Sequence, residues 1–323
     1  MKGLLFSFIL VILGLTLATI LYFYQTLTIF SFKKYVELES VEKLIKTYNS
    51  ILIDSKKALG IVGKRAISSA ISWIITNGTP LDSAEIRIKE LMINGTLYGK
   101  SQELMKDSTL LNWAASLENL LNKKGLFAKI EIKNLSIIPY DSFHLLLSAN
   151  ISLNLTNQDI RTSIARSQIV SSIISIENFE DPLYPLNTLG RVTNVIIKSK
   201  NWLNYSSEDL TNLKEDLNNS WYHPSLYGAS FLDRLEGKFF VDPKRKGVKE
   251  IIGLESFVNK EKLYSYGLGI WIDRSNIDYL YFSGTPHTAF KITGMPETFR
   301  LDNETTINNL THLQIYNVSS LVE

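Results

Sequence analysis

The start of the chain limits the fold more than any other feature. Leu4 to Phe23 is a 20-residue stretch with no charged side chain. A helix of about 20 apolar residues, rising 1.5 Å each, spans the hydrocarbon core of a bilayer. The polar members Ser7, Thr16, Thr19 and Tyr22 are tolerated there. Tyr22, Tyr24 and Gln25 fall where an interfacial belt belongs. Lys2 precedes the run and Lys33 and Lys34 follow it, so flanking charge does not set its orientation. The apolar core is longer than that of most cleaved secretory signals, and no clear small-x-small cleavage site follows, which favours an uncleaved span.

Phe30 to Thr76 contains no proline, and apolar residues recur at helical spacing. Val41, Leu44, Ile45, Tyr48, Ile51, Leu52, Leu59, Val62, Ala66 and Trp73 form one face. Glu42, Lys43, Lys46, Lys56, Lys57, Lys64 and Arg65 occupy the other. One helix is therefore predicted from the membrane span into an amphipathic half, about 110 Å for residues 4–76. Gly60 and Gly63 mark a bend or a close approach, and Asn77-Gly78-Thr79-Pro80 stops the helix. Asp82 with Glu85 reads as a capping box, and Asp107-Ser108 as the cap of a helix closing at Gly125.

Beyond Gly125 the apolar period changes from 3.6 to 2. Leu126, Ala128, Ile130 and Ile132 share one strand face. Pro139-Tyr140-Asp141-Ser142 reads as a turn. In the return strand Phe143, Leu145, Leu147, Ala149, Ile151, Leu153 and Leu155 point inward. Further strands are expected near 163–177 and at Val192–Lys198. Ser206 opens a short helix, residues 221–253 are turn-rich, and Tyr279–Phe282 and Ala289–Thr293 read as strands.

The fold class is therefore α+β. An N-terminal transmembrane helix continues into a long amphipathic helix packed on an antiparallel sheet, with a second C-terminal α+β region. The boundaries are 1–30 for the membrane-spanning helix, 31–200 for the long helices plus sheet, and 201–323 for the C-terminal extracellular region.

Composition narrows function. The chain has 34 basic and 32 acidic residues, a balance unlike that of a dedicated nucleic-acid binder. It has no cysteine, which excludes disulfides, Cys-ligated zinc, iron–sulfur clusters and thiol catalysis. With four histidines, no metal or other cofactor is expected. Gly-x-Ser-x-Gly, His-Glu-x-x-His, a Walker loop and Gly-x-Gly-x-x-Gly are all missing, so no enzyme activity is expected.

Ten Asn-x-Ser/Thr sequons occur, at Asn77, Asn94, Asn134, Asn150, Asn154, Asn204, Asn218, Asn303, Asn309 and Asn317. Chance in this composition gives roughly four. The excess points to N-glycosylation and to a bulk outside the cell. A cysteine-free, sequon-rich surface fits a prokaryotic envelope, and an archaeal one best.

Asp233, Arg234 and Glu236 sit on a short turn or helix opened by Ser230 and read as a salt-bridged loop of unknown role. The alternative is an envelope hydrolase with His223 as base, paired with Asp233 or Glu236. His287, beside Pro286, reads as a loop residue, and Lys244-Arg245-Lys246 as a solvated loop. Tyr264, Tyr266, Trp271, Tyr279, Tyr281 and Phe282 suit a core, or a face for sugars or protein.

The order of apolar helix, amphipathic continuation and antiparallel sheet resembles type IV pilins. Lys2-Gly3 resembles the processing site of that family, whose apolar helices pack in a filament core. The chain departs from the pattern at Phe8, where many pilins carry Glu. Glu180–Tyr184, Ser230–Gly237, Gly253–Val258 and Asp278–Phe282 also resemble segments of uncharacterised archaeal cell-surface proteins, which implies an envelope location and no known activity. The expectation is a pilin-like accessory subunit of an archaeal envelope. It would hold the bilayer through residues 4–23 and contact other envelope subunits, with a carbohydrate- or protein-binding module as a further alternative.

Overall fold

The first helix, α1 (Lys2–Asn77), is unbroken, because nothing in it interrupts the i to i−4 ladder. The computed structural model describes residues 2–157 and 162–323, with the side chains of Lys2, Leu4 and Leu5 outside that description. Every side chain described from Phe6 to Glu39 is exposed, and Leu44 is the first to be buried. The helix ends as expected at Gly78, which takes a left-handed φ of 64°.

Helix α2 (Ala84–Asn94) is capped by Ser83, whose hydroxyl accepts from the Ile86 amide. The expected Asp82–Glu85 box does not form. Asp82 instead holds the Arg87 guanidinium at 2.8 Å. After the two-residue strands β1 (Thr96–Leu97) and β2 (Lys100–Ser101), α3 (Leu110–Asn122) is capped by Thr109 rather than Asp107 or Ser108.

The sheet has the order β3 (Leu126–Asp141), β4 (His144–Asn157), β5 (Thr162–Ser175). The alternating set Phe143 to Leu155 in and after the turn is buried throughout. The hairpin turn lies at Ser142-Phe143, three residues beyond the expected start at Pro139. Pro139 belongs to strand β3, which is an edge strand and tolerates a missing amide.

By their contacts the residues divide into two units. The first holds residues 1–54, 117–130 and 152–167, and buries Leu44, Tyr48, Ile51, Leu121, Leu126, Ile130, Leu153 and Leu155. The second holds residues 55–116, 131–151 and 168–323. Within it, α1 packs on the sheet at its glycines. A Cβ on Gly63 would collide with Leu147 Cδ1, and one on Gly60 would lie 2.7 Å from Ser172 Oγ. Those two glycines serve close packing, and the helix runs through them unbroken.

The remainder of the second unit comprises α4 (Leu183–Asn187), α5 (Thr211–Asn219), β6 (Tyr222–Ser230), α6 (Phe231–Leu235), β7 (Gly253–Ser256), α7 (Lys260–Ser265), α8 (Asp278–Ser283), β8 (Ala289–Lys291), β9 (Arg300–Asp302) and α9 (His312–Ile315). Three expectations need correction. Val192–Lys198 makes only single bridges, Glu180 to Val195 and Lys198 to Tyr222. The helix after Ser206 begins at Thr211. Tyr279–Phe282 is helix α8, closed by Gly284 in the left-handed region. The chain on either side of residue 200 is joined by hydrogen bonds, Ser199 N to Tyr222 O and Tyr222 N to Ile197 O, both 2.9 Å.

Candidate functional site

Among the described residues, one helix is long and apolar enough to cross a membrane, and it lies at the N-terminus. Gly3 sits inside this helix with nothing within 4 Å of a Cβ placed on it, while Met1 of the Met1-Lys2-Gly3 stretch lies outside the described residues.

Of the sequon asparagines, Asn77, Asn94, Asn134, Asn154, Asn204, Asn218, Asn303, Asn309 and Asn317 are exposed. Asn150 differs. It is half-buried on the central strand, and its Oδ1 is buried with no hydrogen-bond partner.

The four segments Glu180–Tyr184, Ser230–Gly237, Gly253–Val258 and Asp278–Phe282 converge on one side chain. Ser230 forms a capping box with Asp233, which starts α6 and aims Arg234 into the core. The Arg234 Nη1 donates to Asp181 Oδ2 at 2.5 Å and to Asp278 Oδ2 at 2.8 Å. Its Nε donates to Ala229 O at 3.2 Å and its Nη2 to Leu254 O. Tyr222 donates to Asp181 and Ser256 to Asp278, each at 2.8 Å, while Tyr184 meets Ser256 at 3.0 Å. Arg234, Asp181 and Asp278 have no exposed surface. Burial disfavours the guanidinium charge, but Asp181 and Asp278 outweigh it and hold Arg234 firmly charged. Burial raises Asp278, with Arg234 offsetting part of the rise. Neither solvent nor substrate reaches this cluster, so its geometry is that of an internal tie.

Asp233 and Glu236 face the other way. Asp233 accepts from Arg245 Nε at 2.6 Å, and Glu236 accepts from Arg245 Nη2 at 2.8 Å. Glu236 also takes the Ala84 amide at 2.9 Å and pairs with Lys238. The salt-bridged loop therefore exists, but Arg234 is not part of it. Arg245 corrects the solvated-loop reading of 244–246, since it is the pair's cation and only 13% exposed.

His223 meets neither Asp233 nor Glu236. Its Nε2 lies 2.9 Å from Asp216 Oδ2 and 2.8 Å from Tyr205 OH, and its Nδ1 lies 3.1 Å from Tyr316 OH. Tyr316 donates to Glu255 at 2.7 Å. Glu255 faces His312 Nε2 at 3.4 Å, and His312 Nδ1 meets Asp302 at 2.5 Å. A buried chain of polar groups thus runs from Asp216 to Asp302. Burial opposes charge on His312, but Asp302 and Glu255 prevail and raise it to about 10. Burial pushes Glu255 and Asp302 upward, and His312 more than reverses this in both.

Lys260 is a third buried charge. Its Nζ donates to the carbonyls of Ile272, Arg274 and Thr298 at 3.0, 2.6 and 2.9 Å. Three acceptors match the three N–H groups of an ammonium. Burial pushes it down to about 7, with Arg300 adding to the fall.

Spacing in the sequence carries no sign of Asp216, His312 or Lys260. Asp181, Glu255 and Asp278 lie within the segments singled out above, where the sequence assigns them no role. His287 is a loop residue held by backbone, with Nδ1 2.7 Å from Thr285 O and Nε2 2.9 Å from Ser275 N. The aromatic set divides: Tyr279 and Tyr281 are core, whereas Tyr264, Tyr266 and Trp271 are exposed. Among the described residues no group of three His, Asp or Glu is placed to hold a metal ion. No protein-family model, curated protein or solved structure matches this chain.

Proposed function

We propose that this chain is a membrane-anchored structural or assembly subunit of an archaeal cell envelope, pilin-like in plan, with its folded part outside the cell. The observation that carries the reading is the division of α1. From Phe6 to Glu39 its side chains are exposed, and from Leu44 onward one face is buried in the protein's own fold. An apolar surface of that size needs a non-aqueous partner.

The uncharged run continues past the first twenty residues to Phe32, about 44 Å of helix against a hydrocarbon core of about 30 Å. Leu27, Ile29, Phe30 and Phe32 are exposed on the surplus turns and suit contact with neighbouring subunits. The missing cysteines and the exposed sequons support an extracytoplasmic bulk. The hydrolase alternative lacks its named pair, because His223 is sealed against Asp216.

Mass spectrometry of the mature N-terminus tests the reading. A start at Leu4 supports pilin-type processing, and a start at Met1 supports a static anchor. A start between residues 25 and 30 removes the span and sinks the anchored reading.

A further inference from the structure

Strand β6 is interrupted where Ser225 and Ser230 both face Gly253 of β7, so residues 226–229 bulge out of the ladder. Bulges re-aim side chains. Here Gly228 bridges Phe240, the Val241 amide donates to Tyr227 O at 3.0 Å, and the Ala229 amide donates to Phe239 O at 2.9 Å. Gly228 makes this possible, since a Cβ there would lie 2.9 Å from Tyr279 and collide with Leu254 O. The bulge thereby sets Tyr227 beside Phe240, at 47% and 39% exposure. Both line a cleft of about 460 Å³ with Tyr279, Thr285, Glu304 and Thr305. Sites for small ligands run from roughly 300 to 1,000 Å³.

The cleft has a definite chemistry. Aromatic rings form one part and hydroxyls and a carboxylate the other, and among the described residues no Lys or Arg lines it. Among the described residues the Glu304 carboxylate has no hydrogen-bond or ion-pair partner. Its backbone alone is engaged, through Asp302 and the His312 amide. His287 contributes only a wall, as backbone occupies both of its nitrogens. An anionic ligand would meet Glu304 with no compensating cation. A wholly apolar ligand would desolvate Glu304, Thr285 and Thr305 without replacing their hydrogen bonds. A saccharide ring satisfies both halves. Its C–H face lies on an aromatic ring, and its hydroxyls donate to the carboxylate in charge-assisted bonds.

We propose that the Tyr227–Phe240–Glu304 cleft binds a neutral saccharide. The proposal is independent of the anchoring reading.

The test uses the full chain in a zwitterionic detergent, since sugar-headed detergents would compete. Maltose, cellobiose, mannobiose and diacetylchitobiose are the neutral probes, and digalacturonate is the anionic one. Titration calorimetry and saturation-transfer NMR read binding. The expected result is binding of at least one neutral disaccharide and weaker binding of digalacturonate. Glu304→Gln and Tyr227→Ala each lower affinity roughly ten-fold or more, and Trp271→Ala, outside the cleft, leaves it unchanged. Thermal melts identify any variant that fails to fold, and the exposed Glu304→Gln is the safeguard. Binding of none of the neutral probes overturns the proposal. So does digalacturonate binding as tightly as they do, affinity unmoved in folded Glu304→Gln, or loss of binding in Trp271→Ala.

Discussion

Arg234 and Asp181 lie 53 residues apart in sequence and meet at 2.5 Å, with neither side chain exposed. Arg234 also holds Asp278 and the carbonyls of Ala229 and Leu254. Removing one partner of a buried ion pair leaves an uncompensated charge, at a cost of about 3–5 kcal/mol. Arg234→Met is therefore expected to lower unfolding free energy by about that amount in urea titration. Arg234→Lys is expected to fail almost as badly, because a lysine lacks the fork that reaches both carboxylates and both carbonyls at once. Stability unchanged in Arg234→Lys would refute this role.

The His312 node predicts a pH dependence. His312 is raised to about 10 from 6.5, so its contribution is full below pH 6.5 and fades as pH climbs towards 10. Glu255 and Asp302 are lowered from 4.5 and 3.8, so theirs is full above those values and fades as pH falls through the depressed ones. The cluster is most stabilising between about pH 4.5 and 6.5. Lys260 acts in the opposite sense, as burial lowers it to about 7 and its unfavourable charging is relieved above that pH. The comparison is therefore made between wild type and His312→Gln, whose stability difference should narrow from pH 6.5 to 10. A difference that stays constant over that range contradicts the assignment.

Gly63 passes against Leu147 with no room for a side chain. Overpacking at such a contact costs about 1–3 kcal/mol. Gly63→Val is expected to fall in that range by thermal denaturation, with Leu147→Ala in the same chain returning part of the loss. Additive losses in the double variant would show that the two positions are not in contact.

Asn150 should be the sequon without a glycan. Its Oδ1 is enclosed on the central strand, whereas the other sequon asparagines are exposed. Glycopeptide mapping of protein from its native envelope is expected to find sugar among the nine exposed sites and none at Asn150. A glycan at Asn150 would show that the strand opens, or is modified before it folds.

Features set by local periodicity were legible in the sequence. The apolar span, the proline-free helix, the alternation from Phe143 to Leu155 and the Ser230 cap all follow from spacing. Two errors came from competing local signals. Tyr279–Phe282 carries β-favouring aromatics, but Asp278 in the first turn and Gly284 at the end make it a helix. Pro139 suggested a turn but sits on an edge strand that needs no amide there. The partners of Arg234, His223 and His312 were not legible, because contacts across 53, 93 and 57 residues leave no local period. The segments 180–184, 230–237, 253–258 and 278–282 gave the one hint, and the fold unites them around a single guanidinium.

The central claim is that α1 lies in a membrane with the folded part outside. Because the chain has no cysteine, an introduced one is the only thiol that a maleimide can label on the purified protein. Leu189 is 82% exposed in the folded part, and Leu13 lies in the apolar run. In intact cells a membrane-impermeant maleimide is expected to label Leu189→Cys fully and Leu13→Cys not at all, with the protein retained in membranes after alkaline extraction. Labelling of Leu189→Cys only after lysis, or release of the protein by alkali, would contradict the account.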